Sequence, residues 1–210
     1  MTLGDRIHAF IEAFPRTASP WPWQVNEAGR EVLYAVWVPG AQYKGNGLYG
    51  NFPPKFLTYL LALFPDVRLR EILHAFSGSL KPGPWTRLDV RPEIPVGDAI
   101  VRPDVVGSVY DAAQLLGDRR FKLIIADPPY SAKHAEQYGT KGVNALKATT
   151  ALAQVLTPHG YLAWLDETWP IHTKRELVTV GRFYVQLSTG RHIRCCTLFQ
   201  RVPPDTKAVA

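Results

Sequence analysis

The sequence predicts one α/β/α sandwich, a mostly parallel sheet of about seven strands that ends in an antiparallel hairpin. Three observations lead there. Leu123 to Ala126 are four apolar residues in a row, the mark of a strand buried on both faces of a parallel sheet, and the run stops abruptly at Asp127-Pro128-Pro129-Tyr130. Strand-like and helix-like segments alternate on either side of it, as parallel strands with crossovers require. The last stretch, Arg182 to Ser188 and Arg191 to Val202, reads as two strands around Thr189-Gly190.

Composition sets the frame. The 210 residues suffice for one domain with a full core, and 46% hydrophobic with 20% charged content is ordinary for a soluble globular chain. A net charge of +6 and a pI near 9.4 favour a polyanionic partner. The two cysteines are adjacent, Cys195-Cys196, and neighbours in a strand point to opposite faces, which disfavours a disulfide between them. No Cys/His array has zinc spacing, so no metal is expected. The start lacks the apolar stretch of a signal peptide and no run of about 18 apolar residues occurs, so a cytoplasmic, reducing setting without a membrane is expected.

In chain order, residues 3–14 read as a helix with Leu3, Ile7, Phe10, Ile11 and Phe14 on one face, stopped by Pro15. Residues 17–23 form a loop whose tryptophans serve as packing anchors, and Val32 to Val38 is a strand. Residues 1–38 are thus expected to be an extension packed on a core domain of residues 39–203, with 204–210 a frayed tail. Residues 39–54 are rich in glycine and asparagine, which permits sharp turns or close backbone approach. Pro54 suits the first turn of a helix over Lys55–Phe64, with Phe56, Tyr59, Leu60 and Leu63 inward.

Arg70 to Phe76 reads as the first sheet strand and Ser77-Gly78-Ser79 as the turn after it. Thr86 to Asp89 is the second strand. Lys81-Pro-Gly-Pro84 cannot be a long helix, so the first crossover is shortened or replaced by a loop. Residues 104–109 are the third strand and Ala112 to Leu116 a helix that Asp111 can cap. After the apolar strand comes a polar loop, Ser131 to Lys141, then a helix over 142–156 with Val143, Leu146, Ala153 and Leu156 aligned. Thr157 to Gly160 stops it, and Tyr161 to Leu165 is the fifth strand. Asp166 and Glu167 read as caps or solvated charges, and His172 with Lys174-Arg175 opens another short helix. Arg191, His192 and Arg194 read as a solvated edge that discourages strand pairing.

Asp127-Pro128-Pro129-Tyr130 resembles the catalytic motif of the S-adenosylmethionine-dependent amino-methyltransferases. In length and layout the chain is similar to the compact, phage- or mobile-element-type DNA N6-adenine methyltransferases. The resemblance covers most of the chain from about Pro39, and its specificity rests on that one motif. It implies a Rossmann-like class I methyltransferase fold and S-adenosyl-L-methionine as cofactor. In the family the Asp side chain and the first Pro carbonyl accept hydrogen bonds from the target amine, and the aromatic stacks on the flipped base. Asp127, Pro128, Pro129 and Tyr130 inherit those roles. The chemistry fits the residue types: an exocyclic nitrogen has its lone pair delocalised into the ring, and two acceptors on its hydrogens draw it towards a nucleophilic geometry.

Further roles follow from the resemblance. Phe76, Ser77 and Gly78 match the family's Phe-x-Gly-x-Gly cofactor motif, with Leu80 in place of the second glycine and no acid before Phe76. Asp89 ends the second strand, where an acid takes the two ribose hydroxyls. Ser108 to Asp111 occupy the stretch that flanks the cofactor's adenine, an alternative to the cap role of Asp111. Tyr49 and Asn51 are candidates to hold the methionine end of the cofactor, against a plain glycine-rich connector. Read from its own residues and not from the resemblance, the polar loop at the mouth of the site offers Lys133 and Lys141 as candidates to meet phosphate and Tyr138 to stack on a base, against a plain solvated loop.

The reading is methyl transfer to N6 of adenine in DNA. An RNA base methyltransferase, acting on guanine-N2 or adenine-N6, is the alternative, since guanine-N2 enzymes share the motif at similar length. A non-catalytic nucleic-acid-binding or scaffold subunit is the third reading, based on the Leu80 departure. No segment is long enough for a separate sequence-reading domain. Specificity is then low, or lies in loops 39–54 and 131–141, or comes from a partner protein.

Overall fold

The computed structural model describes residues 1–16, 21–38, 52–53, 55–130, 135–136, 140, 142–186 and 193–203. Helix α1 (Leu3–Ala13) begins on a capping box: Thr2 Oγ1 accepts from the Asp5 N–H (3.2 Å), and Asp5 Oδ2 accepts from the Thr2 N–H (2.7 Å). Strands β1 (Trp23–Glu27) and β2 (Arg30–Trp37) make an antiparallel hairpin. Then follow α2 (Phe56–Ala62), β3 (Ile72–Ala75), β4 (Thr86–Asp89), β5 (Ile94–Val96), β6 (Ala99–Val101), β7 (Val105–Val106) and α3 (Ala112–Leu116). The chain continues through β8 (Phe121–Ala126), α4 (Ala145–Gln154), β9 (Leu156–Asp166), β10 (Leu177–Gln186) and β11 (Ile193–Arg201).

Among the described residues the main sheet runs β1-β2-β10-β11-β9-β8-β3-β4-β7, with β5 and β6 a separate hairpin. Counted from β3 as first strand and without β5–β6, the order is 3-2-1-4-5-7-6. That is the Rossmann order with one strand, β11, inserted antiparallel before the last. The Rossmann-like sandwich with a C-terminal antiparallel hairpin is therefore the observed architecture. Its sheet is larger than expected, because β2 pairs in parallel with β10 and β1 pairs with β2. The strand that the sequence places in an N-terminal extension is thus hydrogen-bonded into the sheet.

Alternation along β8 builds the two faces. Leu123 and Ile125 face a core made with Phe10 of α1 and Phe56, Tyr59 and Leu60 of α2. Ile124 and Ala126 face the opposite core, with Leu116 of α3 and Ala148 and Leu152 of α4. Buried Arg6 fastens α1 down: it pairs with Asp66 (2.9 Å), donates to the Leu63 carbonyl (2.8 Å) and lies over the rings of Phe64 and Tyr161.

Several boundaries differ from the sequence reading, each for a local reason. No helix bridges β3 and β4, as the proline-rich connector requires. The third strand shrinks to Val105–Val106, because Ser108 caps a 3-10 turn over Val109–Asp111. Helix 142–156 is confined to Ala145–Gln154 by Asn144, whose Oδ1 accepts from the Lys147 N–H (3.0 Å). Thr157 to Gly160 is a kink inside β9, between the pairs Phe121–Leu156 and Leu123–Tyr161. Gly160 is needed there: a Cβ would lie 2.9 Å from the Thr157 carbonyl oxygen and 3.1 Å from that of Phe121. The short helix at 172–175 is absent. A single turn, with the Thr173 carbonyl accepting from the Glu176 (3.2 Å) and Leu177 (3.1 Å) N–H groups, leads directly into β10. That strand starts at Leu177, ahead of the expected Arg182, because a register shift between Thr179 and Gly181 hides its alternation.

Candidate active site

Successive parallel strands leave β3 in opposite directions, to β4 on one side and β8 on the other, which opens a crevice at their carboxyl ends. Ala75 and Ala126 are paired, so Phe76 and Asp127 leave the sheet at the same level. Phe76 adopts a left-handed conformation (φ +56°), which costs a residue with a Cβ about 1 kcal/mol. Its ring packs with Ala75 on the α3/α4 side and meets Trp164 edge-on at 6.0 Å.

The turn after β3 is tied to the neighbouring strand ends. Gly78 is also left-handed (φ +51°), and its N–H donates to Asp89 Oδ2 at 2.9 Å. The other oxygen of buried Asp89 accepts from the backbone N–H (3.0 Å) and the Nε (3.3 Å) of Arg91. Leu80 closes the turn by donating to the Ser77 carbonyl (3.0 Å), and its own carbonyl accepts from Arg87 Nη1 (3.0 Å). Arg87 is buried and grips Asp104 with Nη2 (2.8 Å) and Nε (3.1 Å). This turn therefore holds its shape without the second glycine. Ser77 Oγ is buried with no hydrogen-bond partner among the described residues, a group that a ligand's polar atom would satisfy.

Across the crevice the electrostatics are reversed. Asp127 is partly buried and, among the described residues, accepts a hydrogen bond on Oδ1 from the Tyr130 hydroxyl at 2.5 Å. Burial pushes its pKa up to about 6, against the pull of Arg194 and the Tyr130 bond, and Asp166 adds to the rise. Burial and then the Asp127 charge push the Tyr130 hydroxyl far above its usual value. Asp166 ends β9, next to β8, and accepts from Trp164 Nε1 (3.1 Å) and the Glu167 N–H (2.7 Å), yet burial still raises its pKa. Arg194 of β11 lies over the Tyr130 ring, 5.0 Å from its centroid.

The fold thus gathers Phe76, Ser77, Gly78, Asp89, Asp127, Pro128, Pro129 and Tyr130 at one edge of the sheet. Ser108 is close by, since the Gly107 N–H donates to the Asp89 carbonyl (2.9 Å), but its hydroxyl accepts from the Tyr110 N–H (3.2 Å). Asp111 is exposed and makes no side-chain cap bond. Tyr49, Asn51, Lys133, Tyr138 and Lys141 lie outside the described residues. Two residues at the site were read otherwise from sequence. Asp166 is not a helix cap or a solvated charge. Arg194 is not at a solvated edge, because β11 lies between β9 and β10 and its side chain turns to Tyr130. Arg191 and His192 lie outside the described residues. Cys195 and Cys196 are free, as expected.

No protein-family model matches the sequence, and no curated protein matches it. Solved structures do. TrmN from Thermus thermophilus is similar with a TM-score of 0.44 and 12% identity, over 69% of this chain and 48% of that one. A putative SAM-dependent methyltransferase from Streptococcus mutans gives 0.44 and 12%, over 88% and 56%. The T. thermophilus 16S rRNA N2 methyltransferase RsmC, in complex with AdoMet and guanosine, gives 0.35 and 16%, over 87% and 50%. The chain spans about half the length of these structures. The fold class rests on the strand order itself.

Proposed function

We propose that this chain transfers a methyl group from S-adenosylmethionine to an exocyclic amine of a nucleic-acid base, with N6 of adenine in DNA the preferred target. One observation carries the reading. An Asp-Pro-Pro-Tyr segment, its carboxylate made basic by burial, leaves the sheet level with a glycine turn across the switch point of a Rossmann-like sheet. The net charge of +6 supports a polyanionic substrate.

When bound, the cofactor supplies an electrophilic methyl group, so the protein's work is placement and charge. Phe76, Ser77 and Gly78 fit the cofactor: the turn is held open in left-handed backbone, and the orphaned Ser77 hydroxyl supplies a polar contact. Asp89, whose Oδ1 accepts from Arg91, would hold the ribose hydroxyls. Tyr49, Asn51, Ser108 and Asp111 are assigned to the remaining cofactor contacts on the resemblance alone, and Lys133, Tyr138 and Lys141 to the nucleic acid.

At the reacting end, the target amine replaces the Tyr130 hydroxyl as donor to Asp127, and the Pro128 carbonyl accepts its second hydrogen. Tyr130 then serves as the stacking surface for the extruded base. A carboxylate with a pKa of about 6 holds this hydrogen bond at neutral pH and can take the proton that the methylated amine releases. Recognition of sequence is assigned to residues 39–54 and 131–141 or to a partner protein. The two free, buried thiols suit the reducing cytoplasm.

The test is mass spectrometry of nucleosides after incubation with S-adenosylmethionine and unmethylated DNA, or RNA, beside Asp127→Ala. N6-methyldeoxyadenosine from the unaltered protein alone is the expected result. Methylguanosine or methyladenosine in RNA would move the same site to an RNA substrate. No product from either substrate, together with no cofactor binding, would make the chain a binding or scaffold subunit.

A further inference from the structure

We propose that Arg194 is a positioning residue of this site: stacked on Tyr130, it seats the ring and keeps the partly buried Asp127 carboxylate charged. The inference rests on the methyl-transfer reading for its purpose, but not for its test. Strand alternation places Arg194 where it can act. Cys196 and Leu198 of β11 face the core on the α1/α2 side, and Arg194 follows the same parity. It lies one residue beyond the last pair with β9, Cys195–Asp166, so its side chain projects past the sheet's edge towards the loop after β8. There the guanidinium covers the Tyr130 ring at 5.0 Å while the hydroxyl of that ring holds Asp127 at 2.5 Å.

Charge completes the case. Asp127 feels the Tyr130 hydroxyl of its own loop and the charges of Asp166 on β9 and Arg194 on β11, and it acts in turn on the Cys196 thiol of β11. Among the described residues Arg194 is the one cation in that set, and it outweighs the Tyr130 bond in favouring the charged carboxyl. A carboxylate that must accept from an amine is useless once protonated.

The experiment is a pH titration of Asp127 in the full-length protein, carrying 13C at its aspartate carboxyls, followed by NMR. The Asp127 signal is identified by its loss in Asp127→Asn. The unaltered protein is expected to titrate at about pH 6. Arg194→Met moves that midpoint upward by about one pH unit, a roughly tenfold change in proton affinity, and Arg194→Lys, which keeps the charge, restores most of it. An unchanged midpoint in Arg194→Met overturns the proposal, and so does a midpoint in Arg194→Lys that rises as far as in the methionine variant. Should Arg194→Met fail to fold, Arg194→Gln takes its place with the same expectation. Where methyl transfer is measurable, the acid limb of its pH profile shifts with the titration while cofactor affinity stays constant. Absence of any transfer by the unaltered protein would sink the functional reading and leave the titration to decide on Arg194.

Discussion

The two sides of the sheet about β3 hold the same kind of residue in opposite states. On the β4–β7 side, Asp89 and Asp104 are saturated: one is bound by Gly78 and Arg91, the other by the fork of Arg87. The hydrogen bond from Arg87 in particular holds Asp104 below the usual carboxylate range. On the β8–β9 side, Asp127 is partly buried, has the Tyr130 hydroxyl as its hydrogen-bond partner among the described residues, and sits well above that range. Asp89, which ends β4, and Asp127, which follows β8, thus stand in contrasting surroundings on either side of β3. The bound acid ties together the turn and the strand ends that frame the crevice, whereas a carboxyl raised in pKa is the kind of group found where chemistry is done.

Asp127→Asn should give the largest effect, with opposite signs in function and stability. Methyl transfer falls roughly a hundred- to a thousandfold, the scale of removing one preorganised electrostatic contact. The folded protein gains stability, because a carboxyl whose folded pKa is raised stabilises fully below its unfolded value of 3.8 and loses that contribution as pH rises through about 6. Urea unfolding should show Asp127→Asn more stable by about 2 kcal/mol at pH 8, with most of the gap closed at pH 4 and the rest below it.

Arg87→Ala tests the other half. It frees Asp104 and the Leu80 carbonyl and should cost about 2 kcal/mol at pH 7, less than a fully buried pair because Asp104 is partly exposed. Here the sign is reversed. The Asp104 pKa is lowered, so its contribution is present above 3.8 and is lost as pH falls through the folded value, and the cost of Arg87→Ala shrinks in acid. Unfolding curves of this variant that run parallel to those of the unaltered protein from pH 7 to 3 would contradict the pairing.

Tyr130→Ala should raise the Michaelis constant for nucleic acid about tenfold or more, as loss of a base stack does, whereas Tyr130→Phe should change it much less. Equal effects would mean that the hydroxyl, not the ring, meets the substrate. The smallest effect belongs to Arg91→Ala. It removes the side-chain competitor for Asp89 Oδ1 and should tighten cofactor binding by a few-fold in calorimetry, about 0.5 kcal/mol. Weaker binding would show Arg91 to be part of the cofactor site.

What could be read from sequence was what is local. Asp127 to Tyr130 stood out because a fully apolar strand ends in residues that fix their own backbone. Asp89 was legible as an acid at a strand end. Arg194 and Asp166 were not, since they reach the site through the insertion of β11 beside β9, a pairing between distant segments that no spacing reveals. Strand β1 escaped because exposed residues break its pattern. The β5–β6 hairpin left a signal in Gly97-Asp98, a two-residue turn obscured by short strands and by Pro95. The single turn at Thr173 looked like a helix start because a helix and an isolated turn share their first hydrogen bonds.

The most direct test of the division between the two halves is the single-turnover rate of labelled methyl transfer into nucleic acid at saturating S-adenosylmethionine, for Asp127→Asn beside Asp89→Asn. The account predicts a loss of a hundredfold or more for Asp127→Asn. It predicts a rate close to that of the unaltered protein for Asp89→Asn, whose defect saturation conceals. Equal rates in the two variants, or a greater loss from Asp89→Asn, would contradict it.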